Sequence, residues 1–284
     1  MKKKIILLLF ISMLSIYFGY KYFGKKKTLN SNQEIVNFII NTRFSNKTLE
    51  DKIKSYSIKW SIPLLKELKE EVLIEEPINE PTIYLYNSHP KEEYQRENIG
   101  NYTLNPTVTM NNYILKDLFE KEGINTYVEE ESVSDILNNN NWNYASSYKA
   151  SRILLEKRKQ EYNSLTYFID IHRDSLTKDK TTVVIDDKEY AKVLFIVGLE
   201  NNNYKYNLEF TEKIVNKLDE KYPNLCKGIY KKQGAGVNGV YNQDFSPKTI
   251  LIEIGGYENN TTEVLNTCLA FKEVFTEVIN EETN

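Results

Sequence analysis

From residue 81 onward, the sequence alternates short apolar runs with longer segments in which apolar residues recur at helical spacing. The short runs are rich in β-branched and aromatic residues, and they predict strands at 83–87, 125–129, 165–174, 181–186, 190–198 and 248–256. The longer segments predict helices at 106–122, 144–161, 206–221 and 262–279. This alternation favours an α/β fold with a mixed, mainly parallel central sheet and helices on both faces.

Three of the predicted strands carry ionisable residues at or near their ends. His89 follows the first strand, and Glu92 lies one turn further on. His172 ends the run FIDIH, and Glu253 interrupts the otherwise apolar run LIEIG. Ligand sites of open α/β sheets form beyond the carboxyl ends of the strands. If these strands are parallel neighbours, their ends bring the four side chains together.

Two histidines and a carboxylate are ligands that a catalytic zinc ion takes, with one position left for water. The chain contains only two histidines, so a three-histidine site is excluded. We therefore predict that His89, Glu92 and His172 bind zinc. Zinc lowers the pKa of bound water to about 7, and a carboxylate is then needed to accept its proton. Glu253 is the candidate, because a carboxylate in so apolar a strand is costly to bury without a partner.

Each of these residues also has a structural interpretation, and the chain order suits a second enzyme class. His89 alone could be a turn histidine, and His172 could end an ion-paired strand. Both histidines of the chain lie at strand ends beside acidic residues, and this favours the metal site. Zinc carboxypeptidases also have a His-x-x-Glu motif followed by a histidine and a glutamate, but they need an arginine for the substrate carboxylate. Arg152 and Arg173 are the candidates, and neither lies in a pattern typical of those enzymes.

The charge distribution argues against nucleic acid as a partner. The formal net charge of the chain is −3, but seven of its 37 basic residues and none of its 40 acidic residues lie in 1–27. The rest of the chain therefore carries 30 basic and 40 acidic residues, a net charge of −10. Proteins that bind duplex nucleic acid usually have a basic face.

The N-terminus predicts a membrane anchor. Residues 5–23 form an apolar run with Lys21 as its single charge, close to the ~20 residues that span a bilayer. A cleaved signal peptide is the alternative, but no small-residue cleavage site follows the run. We therefore predict that residues 1–27 form an uncleaved signal-anchor. Such an anchor would make this a single-pass protein of the cell membrane, with its large domain on the extracytoplasmic side.

The remaining chain divides into two predicted regions. Residues 28–80 predict a juxtamembrane stalk, because the segments 33–44 and 62–73 have the apolar spacing of short helices. Pro77 and Pro81 end this region. Residues 81–284 form the predicted catalytic domain.

Two further patterns do not indicate a site. The sequence GAGVNG at 234–239 fits the G-x-G-x-x-G motif of dinucleotide-binding folds, but no predicted helix follows it, so a mobile loop is favoured. Cys226 and Cys268 match no metal motif. A disulfide could form between them outside the cell, but two buried free thiols are favoured.

Four motifs resemble those of the stage II sporulation protein P family, the membrane-anchored cell-wall amidases of endospore-forming bacteria. They are YNSHPKEEY (86–94), YASSYKASR (144–152), FIDIHRDS (168–175) and GVYNQDFSPKTILIEIGGYENN (239–260). They occur in the order of the family and cover about residues 82–280. The last motif is the most specific, because its length makes a chance match improbable.

The resemblance implies an amidase-like fold, zinc as cofactor and peptidoglycan as substrate. Members of the family resemble zinc N-acetylmuramoyl-L-alanine amidases, which cleave between the lactyl group of the glycan and the first alanine of the peptide. By this resemblance His89 and His172 bind the metal, Glu253 is the catalytic glutamate, and Glu92 matches the glutamate of the His-x-x-Glu motif.

The first motif also departs from the family pattern. Many members read His-Thr-His where this chain has Asn87-Ser88-His89, so the first of those histidines is replaced here or is not needed for zinc. Many amidases take their second ligand from a helix further on, so Glu93 and Glu97 remain local rivals of Glu92 as the carboxylate ligand.

These observations together predict an anchored zinc amidase. Water activated by zinc attacks the amide carbonyl, Glu253 passes the proton to the leaving nitrogen, and Arg173 helps to offset the charge of the tetrahedral intermediate. The resemblance implies that the protein acts in forespore engulfment together with other engulfment proteins, including a glycan-cleaving sporulation enzyme. It also implies a possible endopeptidase activity. Two alternatives stay open: a zinc carboxypeptidase-like peptidase of cell-wall peptides, and a non-catalytic wall-binding scaffold on the same fold.

Overall fold

The computed structural model describes residues 27–29, 34–38, 80–99 and 102–283. Its strands are β1 (Lys27–Leu29), β2 (Ile83–Tyr86), β3 (Glu97–Ile99), β4 (Tyr102–Leu104), β5 (Thr126–Val128), β6 (Tyr167–Asp174), β7 (Thr182–Ile185), β8 (Lys188–Ala191), β9 (Val193–Gly198), β10 (Cys226–Lys232) and β11 (Thr249–Gly256). Its helices are α1 (Thr109–Glu120), α2 (Val133–Asn139), α3 (Ser147–Glu161), α4 (Lys178–Thr181), α5 (Tyr204–Lys221) and α6 (Thr261–Thr283). Residues 34–38 are helical as well.

The predicted membrane anchor at 1–27, apart from Lys27, and most of the predicted stalk at 28–80 lie outside the described residues. None of the helices that the structure describes combines the length and the apolar character needed to cross a bilayer. Two pieces of the predicted stalk are described: β1 pairs with β4, and Phe38 is buried with its ring centroid 4.8 Å from that of Tyr102. These pieces therefore pack on the domain.

A six-stranded sheet forms the centre of the molecule, in the order β10-β9-β11-β6-β2-β5. All neighbouring strands in it are parallel except β9 and β11, which are antiparallel. A loop rather than a helix joins β10 to β11, and such a connection allows the chain to reverse direction. The prediction of a mixed, mainly parallel sheet is confirmed.

Helices cover both faces of this sheet, also as predicted. Side chains alternate between the faces of a strand, so Ile83 and Leu85 of β2 pack with α1, α5 and α6 in the larger core cluster. Tyr84 and Tyr86 point the other way and pack against Leu155 of α3. Both faces of β2 are therefore buried, which explains its unbroken apolar sequence.

The sequence prediction differs from the structure in the segment 190–198. This run is not one strand, because Lys192 separates β8, which pairs with β7 in a hairpin, from β9, which lies in the central sheet. The strand β10 and the helix α2 were not predicted. The sequence of β10, CKGIYKK, is largely polar, and Gly228 has a φ of +101° at a shift in its register, so it lacks the regular alternation that identifies a strand.

Two other interpretations agree with the structure. Residues 234–239 form a loop that no helix follows directly, and Gly234 N–H donates to Glu200 Oε1 at 2.7 Å. Cys226 and Cys268 are free thiols, with Cys268 fully buried and Cys226 half-buried.

A buried ion pair fixes α3 to the sheet. Arg158 on α3 donates through Nε and an Nη nitrogen to the two carboxylate oxygens of Glu129, at 2.9 and 3.0 Å. Tyr84 OH donates to the same carboxylate at 2.6 Å. The side chains of Arg158 and Glu129 are only 8% and 4% exposed, so removing one partner would leave an uncompensated buried charge.

We expect Arg158→Met to lower the free energy of unfolding by about 3–5 kcal/mol, because the Glu129 carboxylate would stay buried without its cation. The matched control is Lys157→Met, a change at the residue before Arg158. It removes an exposed ion pair with Glu131 and should change stability by less than about 0.5 kcal/mol. Urea unfolding followed by circular dichroism measures both. Equal losses in the two variants would contradict the importance of the buried pair.

Candidate active site

Hydrogen bonds hold the chain after β2 against the carboxyl end of β6. Ser88 is fully buried, and its N–H and Oγ–H donate to the two carboxylate oxygens of Asp170 at 2.9 and 2.7 Å. Asn87 Nδ2 donates to the carbonyl of Ile171 at 2.6 Å. These bonds determine where the following turn, residues 89–92, can place its side chains.

Asp170 also orients His172. The two residues lie on the same face of β6, because they are two positions apart. His172 Nε2 lies 3.0 Å from Asp170 Oδ1 and 2.9 Å from Ser88 Oγ. The Ser88 hydroxyl uses its proton in the bond to Asp170. The contacts of His172 Nε2 with Ser88 and Asp170 therefore require a proton on Nε2. A neutral imidazole then has its lone pair on Nδ1, the nitrogen that faces Glu92 at 3.5 Å.

Glu92 lies between the two histidines. Its Oε1 is 3.6 Å from His89 Nδ1, and its Oε2 is 3.5 Å from His172 Nδ1. One ligand atom from each of these three side chains lies within 4.8 Å of the other two. Ligands of a tetrahedral zinc site are about 3.3 Å apart when each metal–ligand distance is about 2.0–2.1 Å. The three side chains could therefore hold a metal ion with small adjustments.

The charges around this cluster suit a cation. Burial raises the pKa of Glu92, but hydrogen bonds from His172 and His89 outweigh it and lower that pKa to about 2. Burial lowers the pKa of His172, but the Asp170 and Glu92 carboxylates outweigh it and raise that pKa to about 10. In the absence of a metal, the two carboxylates thus favour a protonated His172. A metal ion bound here would take the place of that proton and balance the same negative charge.

Glu253 lies directly beside this cluster. Strand β11 is parallel to β6, and its register places Glu253 opposite His172 on the same face of the sheet. Burial, followed by repulsion from Asp174, raises the pKa of Glu253 to about 7. A carboxylate with this pKa can both accept and return a proton near neutral pH.

The cluster and Glu253 line a pocket of about 450 Å³ on this face of the sheet. Its floor is apolar, one wall is aromatic, and strand β10 contributes two lysines. The floor is Leu194, Ile196 and Leu251, the aromatic wall is Tyr148 and Tyr241, and the residues from β10 are Lys227, Tyr230 and Lys232. The pocket therefore offers space for a substrate next to the candidate metal ligands.

The other predicted site residues lie elsewhere. Arg173 Nε donates to the carbonyl of Glu93 at 2.7 Å, and Arg173 is not among the described residues that line the pocket. The side chain of Glu93 is exposed. Glu97 accepts a hydrogen bond from the backbone N–H of Thr261 at the start of α6. The structure thus brings His89, Glu92, His172 and Glu253 together and leaves Arg173, Glu93 and Glu97 outside the pocket.

Sequence reasoning did not identify several residues of this site. Asp170 had a signal, because it is two residues before His172 in the same predicted strand. The ring of Tyr144 stacks on His89 with the centroids 4.7 Å apart, and the ring of Tyr148 contacts His89 edge-on at 5.3 Å. Only the packing of α3 and of the turn before it on the sheet reveals these contacts. Lys227 lies on a strand that was not predicted.

The fold and this cluster define an α/β protein with a candidate His-Glu-His metal centre beside a half-buried glutamate. The family described as Stage II sporulation protein P (SpoIIP) matches residues 20–276, and this chain belongs to that family. It is 33% identical over 212 residues to the stage II sporulation protein P of Bacillus subtilis (strain 168). The aligned residues cover 69% of this chain and 50% of that protein. The chain thus spans about half the length of this curated relative.

Two solved structures show weaker similarity. One is the CwlD amidase from Clostridioides difficile in complex with the GerS lipoprotein (TM-score 0.46, 14% identity, 71% of this chain and 99% of that chain). The other is the N-acetylmuramoyl-L-alanine amidase AmiC2 of Nostoc punctiforme (TM-score 0.40, 11% identity, 71% of this chain and 97% of that chain). At TM-scores below 0.5, these similarities carry no functional argument.

We expect Asp170→Asn to weaken Zn²⁺ binding by about 10- to 100-fold, because the amide no longer holds His172 with its lone pair on Nδ1. The control is Asp244→Asn, which changes a half-exposed carboxylate that pairs with Arg152 and should bind Zn²⁺ normally. Competition with a fluorescent chelator measures the affinity, and thermal unfolding shows whether each variant is folded. Normal Zn²⁺ affinity in folded Asp170→Asn would contradict the orienting role.

Proposed function

We propose that this chain is a zinc-dependent peptidoglycan hydrolase, an N-acetylmuramoyl-L-alanine amidase that acts in cell-wall remodelling during sporulation engulfment. The observation that carries the proposal is the convergence of His89, Glu92 and His172 beside Glu253 in one pocket. Membership in the stage II sporulation protein P family supports the cellular role.

The donor set fits zinc. Two imidazole nitrogens and one carboxylate oxygen leave a fourth position for water or substrate. The hydrogen bonds of His172 Nε2 to Asp170 and Ser88 leave Nδ1 as the donor atom, which is the carboxylate–histidine arrangement common at zinc sites. Zinc held by these side chains would polarise the scissile carbonyl and acidify a water molecule.

Glu253 is the proposed general base and acid. Its carboxylate accepts a proton from the attacking water and returns it to the leaving nitrogen of the amide. The apolar floor beneath it keeps the local dielectric constant low, which strengthens the electrostatic interactions of the reacting groups.

The cation that offsets charge on the tetrahedral intermediate has two candidates. Arg173 is the predicted one, but its guanidinium must first leave the carbonyl of Glu93. Lys227 already lines the pocket. We therefore assign the role to Lys227 in the described conformation and to Arg173 only after a rearrangement of its loop.

The proposal extends to the location of the protein. A signal-anchor at 1–27 would hold the domain at 81–284 on the extracytoplasmic side of the membrane, where its substrate lies. The partners would be other engulfment proteins, including a glycan-cleaving enzyme that acts on strands from which the peptides have been removed. Cleavage within cross-linked peptides would add an endopeptidase activity.

The alternative of a carboxypeptidase receives less support. Such an enzyme needs an arginine that faces the substrate carboxylate, but Arg152 pairs with Glu156 and Asp244. Neither Arg152 nor Arg173 lines the pocket in the part of the chain that the structure describes.

Mass spectrometry of digested muropeptides tests the reaction. The full chain, purified in detergent and loaded with Zn²⁺, is incubated with purified sacculi. An amidase yields peptides with a free N-terminal alanine and glycan with free lactyl groups. Release of C-terminal residues with intact sugar–peptide bonds would show a carboxypeptidase, and binding without any products would show a scaffold.

We expect about one Zn²⁺ per chain, and expect His89→Ala and His172→Ala to lose stoichiometric binding, because two ligands are too few for a stable site. Glu92→Gln should also bind Zn²⁺ weakly. The matched control is Glu93→Gln, a change at the next residue, whose side chain is exposed. Elemental analysis after dialysis measures the content. Full occupancy in both histidine variants, or loss in Glu93→Gln alone, would refute the ligand assignment.

We expect Glu253→Gln to fold, to keep its Zn²⁺ and to hydrolyse sacculi about 10²–10⁴-fold more slowly, because glutamine preserves the shape of the side chain but accepts no proton at neutral pH. Dye release from labelled sacculi and Zn²⁺ content are measured on the same preparation. Glu258→Gln, outside the pocket, is the control. Loss of Zn²⁺ in Glu253→Gln would instead make Glu253 a ligand.

A further inference from the structure

The ring of Tyr144 lies between a candidate metal ligand and solvent. It stacks on the imidazole of His89 with the ring centroids 4.7 Å apart and the ring planes 21° from parallel. Tyr144 is nevertheless 57% exposed. Because His89 covers one face of the ring, this exposure comes mainly from the opposite face and from the edge. An open aromatic face beside a candidate ligand is a surface on which another apolar face can stack.

Hydrogen bonds on both sides of Tyr144 fix the backbone that carries this ring. Trp142 N–H donates to the carbonyl of Leu137 at 2.8 Å and closes the turn after α2. A short 3₁₀ turn, Tyr144–Ser146, then leads into α3, and Ser147 Oγ–H donates to the carbonyl of Tyr144 at 2.7 Å. The ring therefore needs little further ordering when a ligand binds, which lowers the entropic cost of binding.

Tyr144 also lines a second cavity, of about 200 Å³, next to the candidate active site. His89 lines the first pocket, so the stacked pair of rings separates the two spaces. The lining of the second cavity combines aromatic and apolar side chains with amide, hydroxyl and ammonium groups, and it includes Lys91, Leu137, Asn138, Trp142, Tyr144 and Ser147. Lys149 Nζ lies 3.7 Å from the centroid of the Trp142 ring, so Tyr144 is the open aromatic surface of the pair.

This combination suits a sugar ring. A pyranose has a face of C–H groups, which stacks on an aromatic ring, and a rim of hydroxyl groups, which forms hydrogen bonds with amide and ammonium groups. A glycan strand also continues in both directions from the sugar that reacts. It therefore needs an exposed surface beside the metal ligands, which Tyr144 provides.

We propose that the free face of Tyr144 is a subsite for a sugar ring of the glycan strand, namely the sugar next to the one that carries the scissile amide. The C–H face of this sugar stacks on Tyr144, and its polar groups lie toward Asn138 and Lys91. The inference rests on the proposed function, which makes the substrate a glycan strand with peptides attached.

Distances assign this position to the neighbouring sugar rather than to the reacting one. A ring in van der Waals contact with Tyr144 lies about 4 Å beyond it and thus about 9 Å from the His89 ring. The scissile carbonyl reacts at the edge of His89 that faces Glu92. The reacting sugar is joined to that carbonyl by three bonds, which keep its centre within about 5 Å. It reaches only the near edge of Tyr144, whereas the next sugar, one ring further along, reaches the free face.

A competing explanation is that Tyr144 only shields His89 from solvent, since single exposed aromatic residues are common on protein surfaces. Shielding acts through the imidazole and would affect every ligand of the pocket alike. A sugar subsite affects only ligands that are long enough to reach Tyr144. Two ligands that differ only in the neighbouring sugars therefore distinguish the explanations.

The experiment measures binding without turnover. The full chain with Glu253→Gln, purified in detergent and loaded with Zn²⁺, is titrated into two fluorescently labelled probes, and anisotropy is recorded. One probe is N-acetylmuramoyl-L-alanyl-γ-D-glutamyl-L-lysine. The other is the same unit with an N-acetylglucosamine on each side. We expect the trisaccharide probe to bind more tightly, and expect Tyr144→Ala to weaken its binding about tenfold and that of the monosaccharide probe less than about twofold.

Two further variants are the controls. Tyr144→Phe keeps the aromatic face and should bind both probes as the parent chain does. Tyr206→Ala removes a tyrosine of α5 that is 60% exposed and should also leave both affinities unchanged. Zn²⁺ content is measured on each preparation, because Tyr144 contacts a candidate ligand.

Three outcomes would overturn the subsite. They are absent or equal binding of the two probes to the parent chain, equal loss for both probes in Tyr144→Ala, and a loss in Tyr144→Phe as large as in Tyr144→Ala. The second outcome would assign Tyr144 to the shielding of His89. Because hydrolysis plays no part in the measurement, Tyr144-dependent selectivity for the trisaccharide by a chain that releases no products from sacculi would refute the amidase proposal and leave the subsite standing.

Discussion

The site depends on the buried carboxylate of Asp170. This side chain is completely inaccessible to solvent, and a charge in such a place is costly unless several hydrogen bonds compensate it. Ser88 supplies two through its N–H and hydroxyl, and His172 Nε2 is the third contact. One carboxylate thereby joins the turn after β2 to β6 and determines which nitrogen of His172 remains available as a ligand.

The parallel pairing of β2, β6 and β11 turns this local network into a site. Parallel strands end at the same edge of a sheet, so the turn that carries His89 and Glu92 meets the end of β6, and Glu253 lies beside His172. The antiparallel insertion of β9 next to β11 then extends the same face toward β10. Tyr148 of α3 and Tyr241 pack against Leu194, Ile196 and Leu251 on this part of the face, and these three apolar side chains form the floor of the pocket.

The connection from β10 to β11 supplies Tyr241, one of the two side chains of the aromatic wall. Tyr241 and Asn242 both have left-handed backbone conformations, with φ of +54° and +57°, which non-glycine residues adopt at a cost. Asn242 donates to the carbonyl of Tyr148 and to Ser151 Oγ, both at 3.0 Å. Gln243 binds the end of β9 through both atoms of its amide. These contacts give a physical reason for the sequence Tyr-Asn-Gln: they hold Tyr241 over the pocket.

The sequence by itself determined the elements and most of the candidate cluster, because both depend on local signals. Periodicity identified β2, β6, β11 and the long helices. Position at a strand end beside acidic residues identified His89 and His172, and the cost of burying charge identified Glu253. Only the tertiary structure decided the features that depend on strand register and on the direction of each side chain. It placed Glu92 rather than Glu93 or Glu97 between the histidines, and turned Arg173 toward a backbone carbonyl. It also separated β8 from β9 and made β10 the end of the pocket. Those features arise from contacts between residues far apart in the chain, for which a single sequence contains no periodic signal.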